Sequence, residues 1–130
     1  LLSRGNGKSD RTEALDWLRK SAVQGHPIAQ GNLGSLLMES EDPGKRAEAV
    51  DWFKRSATQG HPASMFKYGL TLIVGYGVAK NEIEGAAWLI ACDPKDDEGL
   101  RTAIKNALEK VPEASLSKAK EVAVEIRKLF

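Results

Sequence analysis

Ala14-Leu15-Asp16-Trp17-Leu18-Arg19-Lys20-Ser21-Ala22-Val23-Gln24-Gly25-His26-Pro27 returns 35 positions later as Ala49-Val50-Asp51-Trp52-Phe53-Lys54-Arg55-Ser56-Ala57-Thr58-Gln59-Gly60-His61-Pro62. The echo runs on more faintly to Gly34 and Gly69. A period in the thirties marks a stacked-helix solenoid, in which each unit buries its apolar face only against its neighbours. The recurrence predicts an all-α, right-handed solenoid of antiparallel helix pairs, an architecture that mostly serves as a surface for holding other proteins.

Inside the block, Ala14, Trp17, Leu18, Ser21 and Ala22 share one helix face by their spacing, and Ala49, Trp52, Phe53, Ser56 and Ala57 repeat it. Gly85, Trp88, Leu89 and Cys92 follow as a third, slightly stretched copy. Small residues beside a large indole suit closely packed helices, so the three Trp are expected in the core. Trp17 is the expected exception, since its unit shows little of a leading helix. Gln24-Gly25-His26-Pro27 and Gln59-Gly60-His61-Pro62 read as turns: Gly closes one helix in the left-handed conformation and Pro opens the next. The following leading helices are expected from about Pro27 to Glu39 and from about Pro62 to Val74. Gly34 and Gly69 sit at matching points within them, each costing roughly 1 kcal/mol against Ala. A cost paid twice at the same place implies a neighbouring helix too close for a side chain.

Gly75-Tyr76-Gly77-Val78 and Gly5-Asn6-Gly7-Lys8 read as the turns between the two helices of a unit, with Glu41-Asp42-Pro43-Gly44 replacing them in the middle unit. Beyond Cys92 the pattern changes. Leu100, Ala103, Ile104, Ala107, Leu108 and Val111 predict an amphipathic helix opened by Asp93-Pro94 and stopped by Pro112. Leu116, Ala119, Val122, Ala123, Ile126 and Leu129 predict a last one with Ser117 as its N-cap. Residues 1–92 are therefore taken as repeats, the first truncated, and 93–130 as capping helices of the same domain.

Bulk composition excludes several function classes. Lys and Arg number 19 against 18 Asp and Glu in 130 residues, so no net field attracts nucleic acid. No apolar run approaches the roughly 20 residues a membrane helix needs. The single Cys92 excludes an internal disulfide and a multi-cysteine zinc site. The chain opens on Leu1-Leu2-Ser3-Arg4-Gly5, which reads as the end of a helix and hence as a fragment.

The series Ala-x-x-Trp-[Leu/Phe]-[Arg/Lys]-[Lys/Arg]-Ser-Ala-x-Gln-Gly-His, then Leu33-Gly34 or Tyr68-Gly69, then Gly-x-Gly, resembles the Sel1-like repeat, a relative of the tetratricopeptide repeat. The resemblance runs from about Leu1 to Cys92, and residues 93–130 resemble the helical cap of many bacterial members. It departs from members that carry a disulfide in each repeat. The resemblance implies an adaptor or scaffold in settings such as signalling, envelope assembly, secretion, toxin immunity or quality control. It also implies that leading helices line a concave face. Gln30, Asn32, Lys67 and Thr71, with Met65 and Phe66 as apolar contacts, are then the expected contacts to a protein or peptide partner. The open first repeat is a further place for self-association. The competing readings are an accessory domain of a larger envelope-associated enzyme or assembly factor, an immunity-type binder that neutralises a toxin, and a structural piece that stacks end to end through its first unit.

No catalytic constellation emerges, and no cofactor is expected. His26 and His61 occupy equivalent turns, expected roughly 8–10 Å apart by helix-packing distance, too far for one zinc held at about 2 Å. Gly75-Tyr76-Gly77-Val78 lacks the strand, the third Gly and the Lys of a phosphate loop. Cys92 has no cationic neighbour in sequence to activate it, so it reads as a small buried residue. Glu82, Glu84, Asp96 and Asp97 fit solvation and helix-dipole complementarity better than acid–base work.

Overall fold

The structure is a computed structural model that describes the chain from Gly7 to Phe130, with side chains from Thr12 onward. Among the described residues there are seven helices and no strand: α1 (Gly7–Val23), α2 (Pro27–Met38), α3 (Pro43–Ala57), α4 (Pro62–Val74), α5 (Glu82–Ala91), α6 (Glu98–Glu109) and α7 (Glu113–Arg127). The first five stack in chain order, each against the next, as an all-α solenoid. Here α2 and α4 are the leading helices of their units, and α1, α3 and α5 the trailing ones.

The repeated turn works as its residues dictate. Gly25 and Gly60 adopt φ of +96° and +82°, a region where a side chain is strained. Their amides donate to the Ala22 and Ala57 carbonyls, closing α1 and α3. Pro27 and Pro62 then start α2 and α4 at the one helical position where a missing N–H costs nothing. Ser56 and Cys92, equivalent in the repeat, tie each trailing helix to the leading helix of its own unit. The Ser56 hydroxyl donates to the Pro27 carbonyl at 2.7 Å, and the Cys92 thiol to the Pro62 carbonyl at 3.4 Å.

Within a unit the two helices touch at glycine. A Cβ on Gly34 would lie 2.7 Å from the Phe53 ring and 3.1 Å from the Ala49 carbonyl oxygen. A Cβ on Gly69 would lie 2.7 Å from the Gly85 carbonyl oxygen, and one on Gly85 would lie 2.6 Å from that of Gly69. The α4–α5 contact is thus backbone on backbone, with no flexible side chain able to yield. Around these contacts one buried cluster joins Ala22, Leu33, Leu37, Ala49 and Trp52, and a larger one joins Phe53, Met65, Tyr68, Leu72, Trp88 and Leu89. Trp52 and Trp88 are buried, and each indole N–H donates to a glutamate one turn back, Glu48 and Glu84. Trp17 is the expected exception, 71% exposed.

Turn and cap details correct several expectations. Gly7 and Lys8 belong to the first turn of α1, while Gly5 and Asn6 lie outside the described residues. Gly75 and Gly77 do form a left-handed turn, and a Cβ on Gly77 would meet the Arg46 carbonyl at 2.9 Å. In the middle unit Asp42 caps α3 by accepting from the Gly44 amide. Helix α6 starts at Glu98 with Asp97 as its cap, not at Asp93-Pro94, because Lys95 takes a positive φ and breaks the path. Ser117 is interior to α7, which starts at Glu113. The Pro112 carbonyl accepts the first helical bond, from Leu116, so Pro112 opens this helix rather than only ending the last. Leu129 is exposed beyond the helix end. Helix α7 carries the main packing on α5 through Ala119, Ala123 and Ile126, whereas α6 fully buries only Ile104 within its own span.

If the glycine contacts set the helix spacing, Gly69→Ala lowers the urea unfolding free energy by about 1–3 kcal/mol, the usual cost of overpacking. Gly44→Ala, where a Cβ meets only Asp42 Oδ1 at 3.4 Å in the exposed first turn of α3, is neutral or slightly stabilising. Equal effects of the two changes contradict this spacing role.

Candidate interaction groove

Helices α2 and α4 carry solvent-facing stripes set by helical periodicity. Ile28, Asn32, Ser35 and the capping residue Glu39 form one, and Ala63, Lys67, Leu70 and Val74 the other. The helices touch between stripes: a Cβ on Gly31 would lie 2.7 Å from Ser64 Oγ, and Lys67 Nζ donates to Ser35 Oγ at 2.7 Å. Because both partners advance along the chain together (31 with 64, 35 with 67), α2 and α4 run parallel.

Between the stripes lies a cavity of about 310 Å³, lined by Ser35, Met38, Glu39, Phe53, Lys67, Leu70 and Thr71. Its apolar wall is formed by Phe53, Met38 and Leu70. Phe53 belongs to trailing helix α3 and reaches the groove because position 34 has no side chain to block its ring. The Lys67 ammonium lies 5.9 Å from the Phe53 ring centroid, within cation–π range.

The residues expected to meet a partner divide. Asn32 and Lys67 are exposed, and Phe66 is half-buried against the core. Gln30 and Met65 are corrected. Residues two apart on a helix point to different sides, so Gln30 cannot share a face with Asn32, nor Met65 with Lys67. Met65 is 2% exposed, in the core. Gln30 is 5% exposed and ties units together, donating to the Ala22 carbonyl at 3.1 Å and accepting from Gln59 Nε2 at 2.8 Å. Thr71 is largely buried and donates to the Tyr68 carbonyl at 2.7 Å, yet it lines the cavity. Phe53, Met38, Ser35, Glu39 and Leu70 were missed. Extending the Asn32 and Lys67 stripes by three and four residues finds all of these but Phe53 and Met38.

A larger cavity of about 600 Å³ lies in the C-terminal region, among Leu89, Ile90, Ile104, Leu108 and Leu116. Its charged lip mixes Arg101 and Lys105 with Glu109, and Arg101 already donates to the Lys95 carbonyl and pairs with Glu98. Its size exceeds that of the groove, but it lies among α5, α6 and α7 rather than between leading helices.

Cys92 has the chemistry of a core residue. Burial, aided by the Asp93 charge, pushes its thiol up to about 11, away from the reactive thiolate. No group of three or more His, Cys, Asp or Glu placed to hold a metal occurs among the described residues, and none of their helices is long and apolar enough to cross a membrane. His26 and His61 are the N-cap residues of α2 and α4.

Desolvation first, and the Lys67 charge second, hold His61 below the ordinary imidazole value of 6.5. A depressed histidine pKa means that the unfolded chain takes the proton more readily than the folded one. The His61 contribution to stability is therefore complete above pH 6.5, falls as the pH drops from there through the folded value, and levels off below it. Urea midpoints between pH 5 and 8 check this: His61→Gln flattens the fall, and an unchanged pH profile contradicts it.

Comparison with known proteins places these observations. Comparison with curated proteins gives no significant match. Among solved structures, a protective antigen of uropathogenic Escherichia coli strains, displaying an SLR fold, matches with a TM-score of 0.79 at 24% identity. The alignment covers 97% of this chain and 27% of that one, so the chain spans about a quarter of the antigen's length and the likeness concerns the fold. The Sel1 repeat family matches at residues 1–26, 27–61 and 62–91, dividing the chain at the two Gly-His-Pro turns. The chain belongs to the Sel1 repeat family.

Proposed function

We propose that the protein is a non-catalytic interaction scaffold that holds a protein or peptide partner along the α2–α4 groove. Sel1 repeats are typically protein–protein interaction modules, and the reading for this chain rests chiefly on one observation. The two stripes occupy equivalent places but differ at every step: Ile28 against Ala63, Asn32 against Lys67, Ser35 against Leu70, Glu39 against Val74. The core positions that fix the helices, Leu33-Gly34 and Tyr68-Gly69, stay alike in kind. Sequence variation along the solvent face of a repeated frame lets that frame recognise a non-repetitive partner.

The walls are helices already ordered by their packing, so binding orders little of the chain and loses little conformational entropy. In this reading residues 93–130 close the repeat array, with α7 covering the side of α5 that would otherwise be bare.

Capture from a lysate of the source organism tests the proposal. Asn32→Tyr with Ser35→Tyr fills the groove without adding charge, and Lys54→Glu marks the exposed side of α3. The expected result is a binder retained by Lys54→Glu and lost, at least tenfold, from the groove-filled variant of unchanged circular dichroism. Equal capture by the wild-type and groove-filled proteins overturns the proposal.

A further inference from the structure

The leading helices are nearly free of charge. Pro27–Met38 contains no Asp, Glu, Lys or Arg, and Pro62–Val74 contains one, Lys67. Charged residues make up 28% of the chain, so the groove walls stand apart from the rest of the surface. The one cation on them sits at the edge of the groove's cavity.

No carboxylate among the described residues pairs with it. Lys67 takes part in no ion pair among the described residues, and its ammonium rests on a neutral hydroxyl, Ser35 Oγ, and above the Phe53 ring. Glu39 lines the same cavity but does not reach it. The parallel register sets 35 beside 67, so it sets Glu39 beside Thr71. That is four residues further along, or about 6 Å at 1.5 Å per residue. The cavity therefore carries one cationic residue, Lys67, and one acidic residue, Glu39, about one helical turn further along, with Phe53, Met38 and Leu70 as its apolar lining.

We infer that the groove selects a peptide segment that pairs an apolar side chain with a neighbouring Asp or Glu, the side chain filling the Phe53 cavity and the carboxylate meeting Lys67. This deepens the scaffold reading above and rests on it. A volume of about 310 Å³ takes one or two aliphatic side chains rather than a whole helix. The ammonium needs little rearrangement to bind a carboxylate, because exchanging the Ser35 hydroxyl for an ionised acceptor is a gain. Glu39 repels a second acid at the far end, which fixes the direction in which the segment lies. A basic neighbour in place of the acid meets Lys67 at its cost and has only Glu39, at the end of α2, to offset it.

The test uses the 130-residue chain and acetylated, amidated seven-residue probes, read by amide shifts in NMR titration. One probe is Ala-Ala-Leu-Asp-Ala-Ala-Gln; the others put Lys in place of Asp, or Ala in place of Leu. Amidation removes the terminal carboxylate, so the side-chain acid alone is read. The Leu-Asp probe is expected to shift Ser35, Met38, Lys67 and Leu70. It should bind about fivefold more tightly than the Leu-Lys probe, as an exposed ion pair worth up to about 1 kcal/mol allows. Lys67→Gln should erase that preference while leaving the weaker apolar contact. Equal binding of the acidic and basic probes, shifts outside the groove, or no shift with any probe overturns the inference. Should lysate capture depend on an open groove while the probes show no acidic preference, the partner chemistry alone is refuted. Capture indifferent to groove filling refutes the parent reading.

Discussion

The absence of a side chain at Gly34 and Gly69 is the constraint on which the rest of the structure depends. At both places the leading helix lies against its trailing partner so closely that a methyl group would overlap a ring or a carbonyl oxygen. Close approach sets the pitch of each helix pair, and the pitch sets how far a trailing-helix side chain projects. At α2 it lets the Phe53 ring pass beneath the leading helix to become part of the groove wall. At α4 the backbone of Gly85 and the side chain of Leu89 stand against Gly69 instead of an aromatic ring. One repeated glycine thus gives two different surfaces, according to what stands opposite.

Polar groups in the core follow the same economy. Buried hydroxyl, amide and thiol groups among the described residues find partners mostly on the helix packed beside them. Ser56 and Cys92 reach back to a proline carbonyl, and Gln30 bridges Ala22 and Gln59. No buried side-chain nitrogen or oxygen among the described residues lacks a hydrogen bond. Such bonds add modestly to stability, but leaving one unmade inside is costly, so they penalise any slip of one helix against its neighbour. Arg19 adds a link at the surface. Its guanidinium holds the Glu48 carboxyl below the usual carboxylate range and ties α1 to α3, with the Trp52 indole as a second donor. Both groups are partly exposed, so this contact aligns more than it stabilises.

Much of this frame was legible because the repeat states it twice. The Gly-His-Pro turns, the glycine contacts and the buried Trp52 and Trp88 follow from equivalence between copies, and the exposed Trp17 from where the first copy departs from it. Legibility failed where there was no second copy. Ser117 looked like a cap because Ser usually is one; the chain instead starts α7 at Pro112, using a proline carbonyl. The groove was half legible. Asn32 and Lys67 were expected at the surface and are exposed, but Gln30 and Met65 were set beside them although a two-residue step crosses a helix. Phe53 was assigned wholly to the core by its periodicity. A residue can belong to the core by helix phase and still line a groove, if a glycine above it leaves the way open. Periodicity within one helix does not register what a neighbouring helix lacks.

The most direct test is therefore of the gap itself. Nuclear Overhauser contacts from the Phe53 ring protons report whether the ring lies beneath α2. The account predicts strong contacts to the Gly34 α-protons, since the ring carbons lie 2.7–2.8 Å from where a Gly34 Cβ would stand. Ring contacts confined to α3 and the interior side chains of α4, with none to Gly34, would contradict it and leave the groove without its wall.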